Sequence, residues 1–88
     1  METVKFTTEA LADLEYWKKT NNTMVLKRIR QLLEAIKNDP FKGIGKPEAL
    51  KNNLSGCWSR RINLEHRIVY KVEGQVITVN SVRYHYNQ

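Results

Sequence analysis

The 88-residue sequence contains one cysteine, Cys57, two prolines and no long hydrophobic run. A single thiol cannot form a disulfide within the chain, and it has no companions at the close spacing that metal ligands require. We therefore expect Cys57 to be a small, half-buried residue and expect no metal site. No stretch approaches the ~20 apolar residues of a membrane helix, and the N-terminal segment carries no cleavage signature. These absences predict one cytoplasmic domain over residues 1–88.

Negative charge is scarce in the second half of the chain. Residues 1–39 carry seven basic and six acidic residues, a net charge of +1, whereas residues 40–88 carry eight basic and three acidic residues, a net charge of +5. A basic half joined to a nearly neutral half is typical of proteins that bind a polyanion such as nucleic acid. A merely soluble basic surface would show the same balance, so charge alone leaves both interpretations open.

The first half of the chain predicts a strand followed by two helices. Residues 3–6 form a β-branched, apolar run typical of a strand, and the two threonines that follow can start a helix. Apolar residues then recur at spacings of three and four on two helical faces. The first face holds Ala10, Leu11, Leu14 and Trp17, and the second holds Val25, Ile29, Leu32, Leu33 and Ile36. Asn22 or Thr23 can cap the second helix, and Pro40 stops it, so we expect an antiparallel helical hairpin.

The second half predicts a long loop followed by three strands. Residues 41–56 contain three glycines and one proline, which indicates a loop, with one helical turn around residues 48–52. The predicted strands cover residues 58–62, 67–72 and 76–84, and Gly74 suits a tight turn between the last two. The sequence therefore predicts an α+β fold of order β-α-α-β-β-β. In it, the helical hairpin packs on one face of a small, mainly antiparallel sheet.

Alternation along the last two predicted strands assigns side chains to sheet faces. In the middle strand, Tyr70 should meet the helices, and Arg67 and Lys71 should point away from them. If the last strand is regular to its end, Arg83 and His85 lie on one face and the neighbouring tyrosines lie on the other. The face away from the helices would then present cations to a ligand.

Four segments of the second half carry a family resemblance. They are residues 45–56 (GKPEALKNNLSG), 58–62 (WSRRI), 65–70 (EHRIVY) and 83–86 (RYHY). With these segments in this order, the sequence resembles the Txe/YoeB family of toxins within the RelE/ParE superfamily, over nearly its full length. The resemblance implies a RelE-like fold, the toxin half of a toxin–antitoxin pair, a Phd/YefM-type antitoxin and a homodimer. It also implies an enzyme that binds in the ribosomal A site and cleaves messenger RNA without a metal or cofactor.

The resemblance also implies roles for individual residues. Glu48 matches the general base of the family, His85 the general acid, and Arg67 the arginine that stabilises the phosphate. The residues implied to support RNA binding are Lys46, Lys51, Arg61, Arg83 and Tyr86.

These residue types suit RNA cleavage without a metal. The nucleophile is the substrate's own 2′-hydroxyl, and a carboxylate within hydrogen-bond reach can take its proton. Histidine, which titrates near ~6.5 when unperturbed, can give a proton to the leaving 5′-oxygen at neutral pH. Arginine carries a forked set of donors that matches the charge gathered on the phosphorus centre.

Other interpretations remain open from the sequence. A ParE-like toxin would share the fold but inhibit gyrase instead of cutting RNA, although the combination of Glu48, Arg67 and a histidine near the C-terminus argues against it. An RNA- or ribosome-binding module without catalysis is the second alternative. We expect structural roles for His66 and packing roles for Trp17 and Trp58, whereas Tyr84 and Tyr86 are equally suited to packing and to stacking on bases.

Overall fold

The computed structural model describes residues 3–84, so the predictions for His85 and Tyr86 lie outside the described residues. The elements are β1 (Thr3–Phe6), α1 (Thr8–Lys19), α2 (Thr23–Asn38), β2 (Glu48–Ala49), a 3₁₀ turn (Asn52–Leu54), β3 (Cys57–Arg61), β4 (Arg67–Glu73) and β5 (Val76–Ser81). The five strands form one sheet in the order β1-β5-β4-β3-β2. The β1–β5 pair is parallel and the other pairs are antiparallel. Two helices on a mixed, mainly antiparallel sheet confirm the predicted α+β class.

Both helices begin at side-chain caps that the sequence suggested. Thr7 Oγ1 accepts a hydrogen bond from the Ala10 amide at 3.1 Å, and Asn22 Oδ1 accepts one from the Val25 amide at 3.1 Å. Each cap satisfies one of the amide groups that the first turn of a helix leaves without a partner. Neither helix in residues 3–84 has the length and apolar character needed to cross a membrane.

The main core lies between the helical hairpin and one face of the sheet. Its buried residues include Trp17, Ile29, Leu32, Tyr70 and others of the predicted apolar faces. Trp17 is also tied to the sheet, because its indole Nε1–H donates to the carbonyl oxygen of Val82 at 2.9 Å. These contacts confirm the packing role predicted for Trp17.

Leu11 is the exception on the first helix, since 55% of it is exposed. Successive helical residues are separated by about 100°, so Leu11 lies on the flank of the face that Ala10, Leu14 and Trp17 share. The predicted apolar face is therefore wrong at this one position.

A β-bulge in β5 removes the regular alternation on which the predicted faces of residues 83–86 depended. Val69 pairs with Ser81 but Tyr70 pairs with Val79, so Asn80 is an extra residue in β5. Val79 and Val82 consequently both lie in the main core although they are an odd number of residues apart. The prediction of a regular strand over residues 76–84 is wrong, because β5 ends at Ser81.

The predicted helical turn around residues 48–52 is also wrong. Residues Glu48–Ala49 form the short edge strand β2, in which Glu48 pairs with Ser59 and Ala49 pairs with Trp58. The backbone continues this pairing, since the Leu50 amide donates to the carbonyl oxygen of Cys57 at 2.9 Å. Pairing with β3 supplies hydrogen bonds that an isolated helical turn of this length would lack.

Candidate active site

A polar cleft lies where β2, β3 and β4 run side by side. Its volume is about 220 Å³, and it is lined by Lys46, Pro47, Glu48, Ser59, Arg61 and Arg67. The strand register brings these residues together, because Glu48 pairs with Ser59 and Arg61 pairs with Arg67. Ser59 and Arg61 are two residues apart on β3 and so project to the same face. The cleft therefore gathers one carboxylate and three cations from three strands and the loop before β2.

Arg67 is held at the start of β4 by the loop that precedes it. Its Nη1 donates to the carbonyl oxygens of Asn63 at 2.8 Å, His66 at 3.1 Å and Leu64 at 3.3 Å. A guanidinium carries five N–H donors in a fixed plane, so contacts through one nitrogen orient the whole group. Arg67 is thus a pre-oriented cation in the wall of the cleft.

Lys46 reaches the cleft through an unusual backbone conformation. Its φ is +53°, and the preceding residue, Gly45, has a φ of +84°. The carbonyl oxygen of Gly45 accepts a hydrogen bond from the Arg61 amide at 2.7 Å, which ties this turn to the end of β3. Two consecutive left-handed residues redirect the chain from the loop into β2, so that Lys46 and Glu48 border the same cleft as Arg61.

Lys51 and Arg83 lie outside the lining of this cleft. Lys51 is exposed at the start of the 3₁₀ turn. The Arg83 guanidinium lies between two aromatic rings, 3.4 Å from the centre of the Tyr16 ring and 4.3 Å from that of Tyr84. Of the five residues predicted to support RNA binding, Lys51 and Arg83 therefore do not line the cleft, whereas Lys46 and Arg61 do.

His66 has the structural role expected from the sequence. It is buried, its ring lies edge-on to Trp17 at 4.8 Å, and its Nδ1 accepts a hydrogen bond from the Tyr84 amide at 2.7 Å. The Arg67 amide in turn donates to the carbonyl oxygen of Tyr84 at 3.2 Å. Residue 84, which directly precedes His85, is thus anchored beside the start of β4, the strand that carries Arg67.

Cys57 is more buried than the half-buried position predicted for it. It is 7% exposed and packs with Leu50 and Val69 in a second, smaller core on the face of the sheet away from the helices. The packing role predicted for Trp58 is confirmed. Trp58 packs against the main core, and its ring lies 5.0 Å from the ring of Phe41.

Arg60 is the structurally important residue that sequence reasoning missed. It is completely buried, and its Nε donates to the hydroxyl of Tyr70 at 3.1 Å. Its two terminal nitrogens donate to the carbonyl oxygens of Asp39, Lys42 and Ile44. One sequence signal could have revealed it. Arg60 lies two residues from both Trp58 and Ile62, so it shares their face of the strand, and a charged residue therefore occupies a position that faces the helices.

Tyr70 completes this arrangement from β4. Its hydroxyl donates to the carbonyl oxygen of Pro40 at 2.6 Å while it accepts from Arg60. Burial raises the pKa of the Tyr70 phenol above its ordinary value, although the hydrogen bond and the charge of Arg60 oppose the increase. The phenol therefore stays protonated and remains able to donate.

A helical hairpin packed on a five-stranded mixed sheet, with a polar cleft at the β2–β3–β4 end, defines a small α+β protein of the RelE-like class. Comparisons with known proteins agree with this class. A family model described as the YoeB-like toxin of bacterial type II toxin–antitoxin systems matches residues 6–86. The chain therefore belongs to the YoeB family of type II toxins.

Individual relatives support the assignment along nearly the whole chain. Toxin YoeB of a Synechocystis strain is 54% identical over 72 residues, which cover 82% of this chain and 84% of the relative. The YoeB–YefM toxin–antitoxin heterotetramer of Staphylococcus aureus includes a chain with 42% identity and a TM-score of 0.87, covering 98% of this chain and 99% of that one. The YoeB dimer of the same organism gives 43% identity and a TM-score of 0.88, covering 97% and 98%.

Proposed function

We propose that this toxin is a ribosome-dependent endoribonuclease that cleaves messenger RNA in the A site and thereby stops translation. The observation that carries the proposal is the cleft in which Glu48 lies among Lys46, Arg61 and Arg67. A carboxylate among three cations provides a proton acceptor beside groups that bind a phosphodiester. On a surface that only bound RNA, a carboxylate among the cations would weaken their attraction for phosphates.

In the proposed reaction, Glu48 takes the proton from the 2′-hydroxyl of the nucleotide before the scissile bond. The 2′-oxygen forms a bond to phosphorus, the bond from phosphorus to the 5′-oxygen breaks, and His85 protonates that leaving oxygen. The products are a 2′,3′-cyclic phosphate and a 5′-hydroxyl, so neither water nor a metal is required. Arg67 stabilises the negative charge on the phosphorane, with Lys46 and Arg61 as further cations.

The remaining predicted residues serve RNA placement in this proposal. Tyr86 stacks on a base, and Lys51 and Arg83 bind phosphates outside the cleft. Because Lys51 and Arg83 do not line the cleft, we expect their removal to weaken binding more than the chemical step.

We further propose that the chain binds a YefM-type antitoxin and forms a homodimer. Support comes from the Staphylococcus aureus relatives, which are described as a YoeB–YefM complex and as a YoeB dimer and which match nearly all of this chain. The net charge of +6 would favour an acidic binding segment in the antitoxin.

The decisive experiment uses purified ribosomes programmed with a defined message and maps the new 5′ ends over time. General acid or base groups contribute ~10²–10⁴-fold to rate. Removal of one donor that stabilises transition-state charge costs on the order of 10²–10³-fold. We therefore expect Glu48→Ala, Arg67→Ala and His85→Ala each to slow cleavage at least ~10²-fold.

Lys71→Ala is the matched control for Arg67→Ala. Lys71 lies on the same face of β4, pairs with Glu73 at 3.8 Å and does not line the cleft. We expect its removal to change the cleavage rate by less than ~2-fold, since exposed ion pairs contribute little. A wild-type rate for any of the three cleft or tail variants would remove that residue from the mechanism.

Three further outcomes would contradict the proposal. Replacing the attacking nucleotide by its 2′-deoxy form should abolish cleavage, and continued cutting would mean that another group attacks phosphorus. Binding to the ribosome without any product would indicate a non-catalytic module. Inhibition of DNA supercoiling without RNA cleavage would instead indicate a gyrase inhibitor of the ParE kind.

A further inference from the structure

A buried cation lies directly beneath the cleft, on the opposite side of β3. Arg60 lies between Ser59 and Arg61, and both of these line the cleft. Because side chains alternate along a strand, Arg60 projects to the other face, where it is completely buried. Its guanidinium donates hydrogen bonds to three main-chain carbonyl groups of the loop before β2 and to the hydroxyl of Tyr70 on β4.

The partners of Arg60 and Tyr70 span the first part of that loop. We use the name Arg60 clamp for Arg60, Tyr70 and the carbonyl groups of residues 39, 40, 42 and 44 that accept their hydrogen bonds. Residues 39–47 contain no helix or strand, so these hydrogen bonds replace the regular pairing that would otherwise hold the segment. An arginine cannot lose its charge in a protein, so the clamp needs these acceptors in place in order to remain buried.

One residue, Gly45, lies between the last residue of the clamp and the first residue of the cleft. Ile44, the last residue that the clamp holds, is followed by Gly45, whose backbone lies against Arg60 itself. A methyl group built on Gly45 would approach Arg60 Cβ to 3.0 Å. Lys46 belongs to the loop itself, and Glu48 follows at the start of β2, where it pairs with Ser59 on β3. The loop therefore sets the position of Lys46 and the point at which the chain enters that pairing.

We propose that Arg60 is a positioning residue that sets the geometry of the cleft by fixing the loop that carries Lys46 and leads into β2, where Glu48 lies. The inference rests on the proposed function for its effect on RNA cleavage, and on the contacts above for its effect on the loop. Arg61 and Arg67 are held by β3 and β4, so phosphate binding survives when the clamp is weakened. The carboxylate loses its alignment, and a displacement of about 1 Å can cost ~10²-fold in rate.

Two variants weaken the clamp by different means. Arg60→Lys keeps the charge and the aliphatic stem but cannot reach all four oxygens, because an ammonium group lacks the planar fork. Tyr70→Phe keeps the ring and removes only the hydroxyl that links Arg60 to residue 40, so it should fold even if Arg60→Lys does not. Ile77→Val, at a buried site on β5, a strand that β4 separates from β3, is the control for a general loss of stability.

Three quantities should be measured for each variant at a temperature where it is fully folded. They are the single-turnover cleavage rate on programmed ribosomes, the affinity for ribosomes carrying a message with a 2′-deoxy nucleotide at the cleavage site, and loop exchange. Loop exchange here means hydrogen exchange of the Arg61 amide, which donates to the carbonyl oxygen of Gly45 in the loop. We expect Arg60→Lys to slow cleavage at least ~10-fold and Tyr70→Phe about 3- to 10-fold, with affinity changed less than ~3-fold. Loop exchange should rise in both variants and stay unchanged in Ile77→Val.

The outcomes separate this inference from the proposed function. If Glu48→Ala abolishes cleavage but both clamp variants cut at the wild-type rate, Arg60 has only a structural role and the inference is wrong. If loop exchange does not rise in either clamp variant, the inference is wrong whatever the rates. If Glu48→Ala itself cuts normally, the proposed mechanism fails, while increased loop exchange in the clamp variants would still support positioning of the loop.

Discussion

Substitution of Gly45 by alanine tests how tightly the loop before β2 is packed. Gly45 has a φ of +84°, and a methyl group there would lie 2.8 Å from Leu32 Cδ2 and 3.0 Å from Arg60 Cβ. Contacts below 3.0 Å force a shift, and neither neighbour can move freely, because Leu32 is in the core and Arg60 is held by its hydrogen bonds. Gly45→Ala should therefore destabilise the protein through both backbone strain and overpacking.

The magnitude follows from two terms. An alanine forced into the left-handed region costs roughly 1–2 kcal/mol. An added methyl group in a filled site costs typically about 1–3 kcal/mol more. The lower entropy of the unfolded alanine chain offsets about 0.4–1 kcal/mol. We expect a net loss of about 2–4 kcal/mol, a large fraction of the ~5–15 kcal/mol that stabilises a typical domain.

Gly74→Ala is the matched control, because it places an alanine at a positive φ without a steric contact for the added methyl group. Gly74 has a φ of +61° in the turn between β4 and β5, and a methyl group there would meet nothing within 4 Å. Both variants have the cost of backbone strain and the change in unfolded-state entropy. The difference between their free energies of unfolding therefore measures the cost of overpacking at Gly45. Urea denaturation followed by tryptophan fluorescence should show Gly45→Ala less stable than Gly74→Ala by about 1–3 kcal/mol. Equal losses would refute the tight packing of Gly45 between α2 and β3.

Three other predictions concern single side chains. Burial raises the pKa of Tyr70, so the folded state binds more protons than the unfolded state above pH ~10, and its stability falls as pH rises through that range. Tyr70→Phe should flatten this fall in denaturation curves at pH 9, 10 and 11, and an unchanged slope would contradict the raised pKa. His66→Leu should cost about 1–3 kcal/mol by leaving the Tyr84 amide without its acceptor, and His66→Asn should recover part of the loss; equal losses would contradict that role for Nδ1. Asn22→Ala should cost about 1 kcal/mol as a lost helix cap, measured by thermal unfolding, and no change would mean that solvent serves the amide equally well.

Local patterns in the sequence determined much of this fold. The spacing of apolar residues predicted both helices, and the caps at Thr7 and Asn22 follow from short polar side chains that can reach the amides of the first turn. Alternation along β4 predicted that Tyr70 faces the helices and Arg67 does not, because the strand repeat of two residues assigns each side chain to a face. The motif segments between residues 45 and 86 were sufficient on their own to indicate the family.

The carboxylate and the cations of the candidate site were predicted as residues but not as a geometry. Glu48 was expected in a helical turn, and the cleft exists because residues 48–49 instead pair with β3. Such pairing depends on contact with another strand, here β3. A strand of two residues is too short to show the alternation of polar and apolar residues that predicts a strand.

The sequence by itself determined the class of elements, most of the core and the residue types available for chemistry, because these follow from interactions between near neighbours in the chain. Only the tertiary structure decided that Asn80 forms a bulge, that Arg60 is buried beneath the cleft, and that Lys51 and Arg83 do not line the cleft. These features arise where strands and loops meet in space, and there hydrogen bonding between distant segments outweighs local preference.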